Sequence, residues 1–110
     1  MDKLSLIAQA RTELDGARRA SSGRSAKTVH GGHDKVLRQT VMALCAGRST
    51  DDHENPGEAT VQVLGGRVRV VGDGTSWDGT TGDLIVVPRG RSSIHAIEDS
   101  TLLLTVAKTG

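Results

Sequence analysis

The sequence has no phenylalanine and no tyrosine, and Trp77 is its single aromatic residue. That excludes the stacking platform on which RNA-recognition and single-strand-binding sheets lay their bases. The core must therefore be assembled from Val, Leu, Ile and Ala. Cysteine is nearly absent too. Cys45 stands alone, so neither an intrachain disulfide nor a Cys-based zinc cage is available. Its apolar setting, Val41 to Ala46, reads as that of a buried, inert thiol. Neither sign of charge is in excess: 14 Lys and Arg against 13 Asp and Glu leave a formal net charge of +1. A dedicated nucleic-acid binder would carry a clustered positive field instead. No stretch approaches the roughly 18 apolar residues of a membrane span. The N-terminus lacks the apolar run of a signal peptide, so a cytoplasmic protein that neither enters membranes nor binds nucleic acid is expected. At 110 residues, one domain is the expectation.

What is present changes period along the chain. Leu4, Ile7, Ala10, Leu14 and Ala17 recur at three- and four-residue spacing. They predict an amphipathic helix capped by Asp2 and closed by Arg18 and Arg19, whose charge suits a helix C-terminus. From Ser25 onward the period is two. Short strands are expected at 26–29, 35–45, 58–64, 67–71, around Trp77, at 84–87, 93–97 and 101–107. Gly72-Asp73-Gly74 signals a hairpin. About eight strands between Gly, Asp and Pro turns predict an all-β closed barrel or double-sheet jelly roll, with one N-terminal α-helix. The expected division is a helix and linker over 1–24 and a barrel over 25–110.

Two stretches carry more than periodicity. The first runs from Gly47 through His53, Asn55 and Glu58, then six residues to Gly65. The second runs from Gly82-Asp83 through an apolar run to Pro88-Arg89-Gly90. They resemble the two conserved motifs of the cupin superfamily, and the resemblance covers most of the chain. It implies a cupin-type jelly-roll barrel, a small-molecule ligand in the lumen, and a homodimer. It also implies glycines at Gly65 and Gly82 in turns that a side chain would strain.

In metal-binding cupins, two His and the Glu of the first motif and the His of the second hold one divalent ion. Facial ligation of that kind leaves positions open for substrate. Here His53 stands at the first His position and Asn55 at the second. Glu58 arrives one residue early. The second-motif His falls on Ser92 or Ser93, according to the loop alignment. The site is therefore degenerate, and weak metal binding is expected. His95 offers a displaced set, His53 with Glu58 and His95, if it faces the lumen; if Ser92 is the inward residue, His95 points outward. His30 and His33, in His-Gly-Gly-His, read as a surface turn.

The remaining candidates come from alternation. Glu58, Thr60, Gln62 and Leu64 share one face of their strand, and Val61 and Val63 share the other. The resemblance puts the Glu58 face in the lumen, where Thr60 and Gln62 would contact a ligand; the opposite assignment makes the valines the core side. Gln39 and Arg38 lie on opposite faces, and one of them points inward. The candidate site is thus His53 and Glu58 as catalytic or metal-holding groups, with Gln39, Asn55, Thr60, Gln62 and His95 around the ligand. Without a metal, a lumenal carboxylate beside His53 suits proton transfer, isomerisation or cyclisation. With one, dioxygenation is available. The alternatives are a metabolite-sensing module and a structural domain with a filled barrel.

Overall fold

A computed structural model of the chain describes residues 1–55 and 57–108. Pro56 of the first motif and the last two residues of the expected 25–110 domain lie outside the described residues. Helix α1 spans Leu6–Arg19. Its cap is Ser5, whose Oγ accepts from the Ala8 N–H at 3.1 Å, rather than Asp2. The buried line is Ala10, Glu13 and Ala17, which differs from the expected stripe. Ile7 is 70% exposed and Leu4 46%. Small residues win the buried line because they let the helix lie close to the sheet. At Gly16 an added Cβ would come within 3.0 Å of Ser25 Oγ. Glu13 is tolerated there because Gln9 Nε2 and Ser25 Oγ donate to its carboxylate, at 2.8 and 2.7 Å.

Among the described residues nine antiparallel strands follow: β1 (Arg24–His30), β2 (Leu37–Leu44), β3 (His53–Glu54), β4 (Gly57–Gly65), β5 (Arg67–Gly72), β6 (Thr75–Thr80), β7 (Leu84–Val86), β8 (Arg91–Ala96) and β9 (Ser100–Lys108). One sheet has the order β1-β2-β9-β4-β7 and the other β3-β8-β5-β6. This is the all-β jelly-roll arrangement with one N-terminal helix that the period switch predicts. β3, two residues long, is the strand that alternation alone does not reveal. The expected hairpin forms between β5 and β6, where Asp73 and Gly74 both take positive φ, 52° and 69°. That is the pair of conformations a type I′ turn requires.

The core lies between the sheets and is aliphatic. Leu44, Val61, Val63 and Leu102 of the first sheet meet Val68, Val70, Ile94 and Ala96 of the second. A smaller cluster of Ala10, Val41 and Leu103 joins α1 to the outer face of the first sheet. Cys45 is half-buried, just past β2. Arg18, in the last turn of α1, donates through Nε and Nη2 to Asp99 Oδ2, both at 3.1 Å. The Ala46 N–H donates to Asp99 Oδ1 at 2.8 Å. That N–H first, and then Arg18, hold the Asp99 carboxyl below its ordinary value. The clasp fixes the turn between β8 and β9 against the helix end. No helix among the described residues is long and apolar enough to cross a membrane.

Candidate functional site

The site is built where β3 joins β8. The register pairs His53 with Ser92 and Glu54 with Arg91. Paired residues share a face, and Ile94 and Ala96 of β8 are core residues. Ser92 therefore points inward with His53 beside it, while Ser93 points outward. His53 Nδ1 lies 3.1 Å from the Asp51 carbonyl oxygen. A carbonyl oxygen only accepts, so Nδ1 carries a proton, and in the neutral ring the lone pair is on Nε2. Asn55 is anchored by its own N–H to the Gly90 carbonyl at 3.1 Å. Its Oδ1 accepts from the Gly57 N–H at 3.1 Å, which leaves the side-chain amide as a donor.

The opposite wall comes from β2. Met42 and Leu44 pack on the core, so alternation back along the strand brings Thr40 and Arg38 to the inner face. Together Arg38, Thr40, His53, Glu54, Asn55 and Ser92 line a cavity of about 240 Å³ floored by Ala59, Leu104 and Val106. Thr40 Oγ1 lies 3.4 Å from Thr28 Oγ1. Arg38 makes no ion pair and no side-chain hydrogen bond among the described residues. Its aliphatic stem lies against Gly31, where an added Cβ would come within 3.1 Å of Arg38 Cγ.

Of the candidates read from the sequence, His53 and Asn55 reach the lumen. Glu58, Thr60 and Gln62 do not. They lie on the outer face of β4, and Ala59, Val61 and Val63 take the inner face. The valines decide this, because facing them inward buries apolar area while the polar residues keep their water. Gln39 is also on the outer face, where its Nε2 donates to Thr105 Oγ1 at 3.3 Å. It faces a separate hollow beneath the N-terminal segment. His95 is on the outer face of β8, with Nε2 2.9 Å from Ser93 Oγ. It neighbours Arg69, whose guanidinium is forked onto Asp78 at 2.7 and 3.1 Å. His30 and His33 are exposed. The sequence leaves Arg38 as one of two alternatives for the inner face and does not by itself single out Thr40. Counting back in twos from Leu44 finds both.

The displaced set of His53, Glu58 and His95 cannot act together. Glu58 and His95 are on the outer faces of different sheets. One residue of register is enough to send a strand side chain to the wrong face. Counting three residues after Asn55, the first motif's carboxylate position is Ala59 and its closing glycine is Gly66. The inward residues at the four cupin ligand positions are then His53, Asn55, Ala59 and Ser92. One imidazole, one amide, one methyl and one hydroxyl do not suit a divalent transition metal. Among the described residues no three His, Cys, Asp or Glu side chains come together to hold one.

No protein-family model matches the chain, and no curated protein matches it significantly. Solved structures do match. A conserved protein of unknown function from Streptococcus pyogenes superposes with a TM-score of 0.74 at 26% identity, over 83% of this chain and 79% of that one. A cupin superfamily protein from Desulfitobacterium hafniense gives 0.72 at 15% identity, over 78% of each chain. An RmlC-like cupin from Desulfovibrio desulfuricans gives 0.68 at 25% identity, over 77% and 82%. The two sheets, the turn glycines and these neighbours together identify the chain as a protein of the cupin fold.

Proposed function

We propose that this protein binds a small organic anion in its lumen and that His53 moves a proton on it. The observation that carries the reading is Arg38. Among the described residues its guanidinium has no carboxylate partner, and the cavity it stands at is lined by the polar groups of Thr40, Asn55, Ser92 and His53 and by Glu54, which alternation along β3 turns to the face opposite His53. A planar carboxylate matches the arginine fork, and the hydroxyls and amide add neutral donors. Ala59, Leu104 and Val106 offer an apolar seat for the carbon skeleton. His53 is held in one tautomer by the Asp51 carbonyl, as a general base requires.

Thermal-shift measurements with short aliphatic carboxylates and their amides test the binding. The acids are expected to raise the melting temperature, the amides to leave it unchanged, and Arg38→Gln to remove the response. Proton transfer is tested with 2-oxo acids in deuterated water. Exchange of the C3 hydrogen, read by NMR, is expected to fall by about 10²-fold or more in His53→Gln. Binding without exchange would leave a binding module rather than an enzyme. No shift with any acid would remove the lumen reading.

A homodimer completes the proposal. Ile7 on α1 and Leu84 and Val86 on β7 are exposed apolar side chains on the helix side of the first sheet. A second copy related by a two-fold axis would cover them in a self-complementary contact. Ile7→Asp with Val86→Asp is expected to halve the sedimenting mass while the melting temperature of the monomer changes little. A parent protein that already sediments as a monomer would rule the dimer out.

A further inference from the structure

The lumen does not end at the Arg38 cavity. His53 and Leu104 also line a second opening of about 570 Å³ at the edge between β1 and β3. The two spaces therefore meet at the pair His53 and Leu104, one polar and one apolar. At the far end stands Arg24. The register pairs it with the core residue Leu44, so it lies on the inner face of β1. Its Nη1 donates to the Ser49 carbonyl at 3.1 Å and lies 3.8 Å from Asp51 Oδ1. Asp51 is 96% exposed, and a contact of that length to a solvated carboxylate contributes little. Nε and Nη2 of Arg24 have no acceptor among the described residues.

We infer that the ligand is an elongated dianion, with one acidic group on Arg38, the other on Arg24, and a carbon spacer passing His53 over Leu104. The inference rests on the lumen-binding reading above and names its substrate class. A guanidinium at each end of an open slot discriminates by charge number and by length. A monoanion satisfies one end only and leaves the other fork in water. The spacer contacts Leu104 and, toward Arg24, Met42. Those side chains favour methylene groups over a polyhydroxylated chain. Asp51 gives way at little cost, because its own carboxylate remains fully hydrated when released from Arg24.

Calorimetric titration with straight-chain α,ω-dicarboxylates of six to fourteen carbons, each against the monocarboxylate of equal carbon number, tests this. One dicarboxylate length is expected to bind roughly tenfold more tightly than its monocarboxylate, with weaker binding on either side of that length. Arg24→Gln is expected to erase that preference while monocarboxylate binding persists, and Arg38→Gln to weaken both ligands. Arg24→Lys is expected to restore part of the preference, which a merely structural role for Arg24 would not predict. Equal binding of mono- and dicarboxylates, or a preference intact in Arg24→Gln, would overturn the dianion while the lumen site stands. Binding of neither ligand by the folded parent would overturn the lumen reading, and the dianion with it.

Discussion

Replacing Gly66 by valine is expected to lower the stability of this protein by about 3 kcal/mol or more. Gly66 has φ of +85°, in the left-handed region that β-branched residues essentially avoid. An added Cβ there would also land on the Asp99 carbonyl oxygen and Ser100 Oγ, and lie 2.9 Å from Ser100 Cα. Two of those three atoms are backbone, so no rotamer change relieves the overlap. The backbone it meets is fixed in turn. Asp99 is clasped by Arg18 and the Ala46 N–H, and Ser100 Oγ accepts from the Arg67 N–H at 3.0 Å and donates its proton to the Glu98 carbonyl at 2.7 Å. The turn from β4 to β5, the turn from β8 to β9 and the end of α1 would all have to move.

Neighbouring glycines serve as controls for that experiment. Gly82 has φ of +92° but open space around its missing Cβ, so Gly82→Ala carries backbone strain alone, about 1 kcal/mol. Gly65 does not have positive φ, and its added Cβ would meet only Thr101 Oγ1 at 3.2 Å. Gly65→Ala is expected to cost less than either. Urea midpoints rank the three. A Gly66→Val midpoint at or above that of Gly65→Ala would refute the assignment. The sequence points to Gly65 as the motif glycine because the count starts from Glu58. The structure moves the requirement to Gly66.

That single residue of offset separates what was readable from what was not. Alternation of Val61 and Val63, of Val68 and Val70, and of Ile94 and Ala96 marks strands whichever face is buried. The turn glycines then set their spacing. So the two-sheet fold is legible from residues and motif together. The face is a different matter. In β4 both sets of alternate residues are credible: three polar side chains could surround a ligand, and two valines with an alanine could fill a core. Burial of apolar area decides, and that sum includes β9 and β7, which the strand's own sequence does not contain. Glu58 resembles a displaced ligand only until the pleat is known. Arg38 was hidden for the same reason, since its inward direction follows from Leu44, six residues away. The helix was readable as a helix, but its buried line followed from Gly16 and Ser25 meeting, a tertiary fact.

The same pleat makes metal affinity something that can be installed, and it names the positions. The parent protein is expected to retain well under one equivalent of a divalent transition metal after loading and gel filtration. His53 supplies its one suitable donor, and Asn55 Oδ1 is already engaged by the Gly57 N–H. Asn55→His with Ser92→His adds two inward imidazoles beside His53, and occupancy is expected to rise. Adding Ala59→Glu completes a three-imidazole, one-carboxylate set, and occupancy is expected to approach one per chain. Ser93→His in place of Ser92→His should add nothing, because Ser93 faces out beside His95. Glu58→Gln should change no variant's occupancy, and His53→Ala should abolish the gain. Ala59 is 7% exposed. A carboxylate there without a cation is therefore expected to destabilise the triple variant by several kcal/mol. Metal at about 100 times its Kd would return about 2.7 kcal/mol of that, visible as a melting temperature that climbs with metal in this variant and not in the parent. A full equivalent of metal in the parent would overturn the inward assignment of Ala59. Equal gains from Ser92→His and Ser93→His would overturn the register of β8.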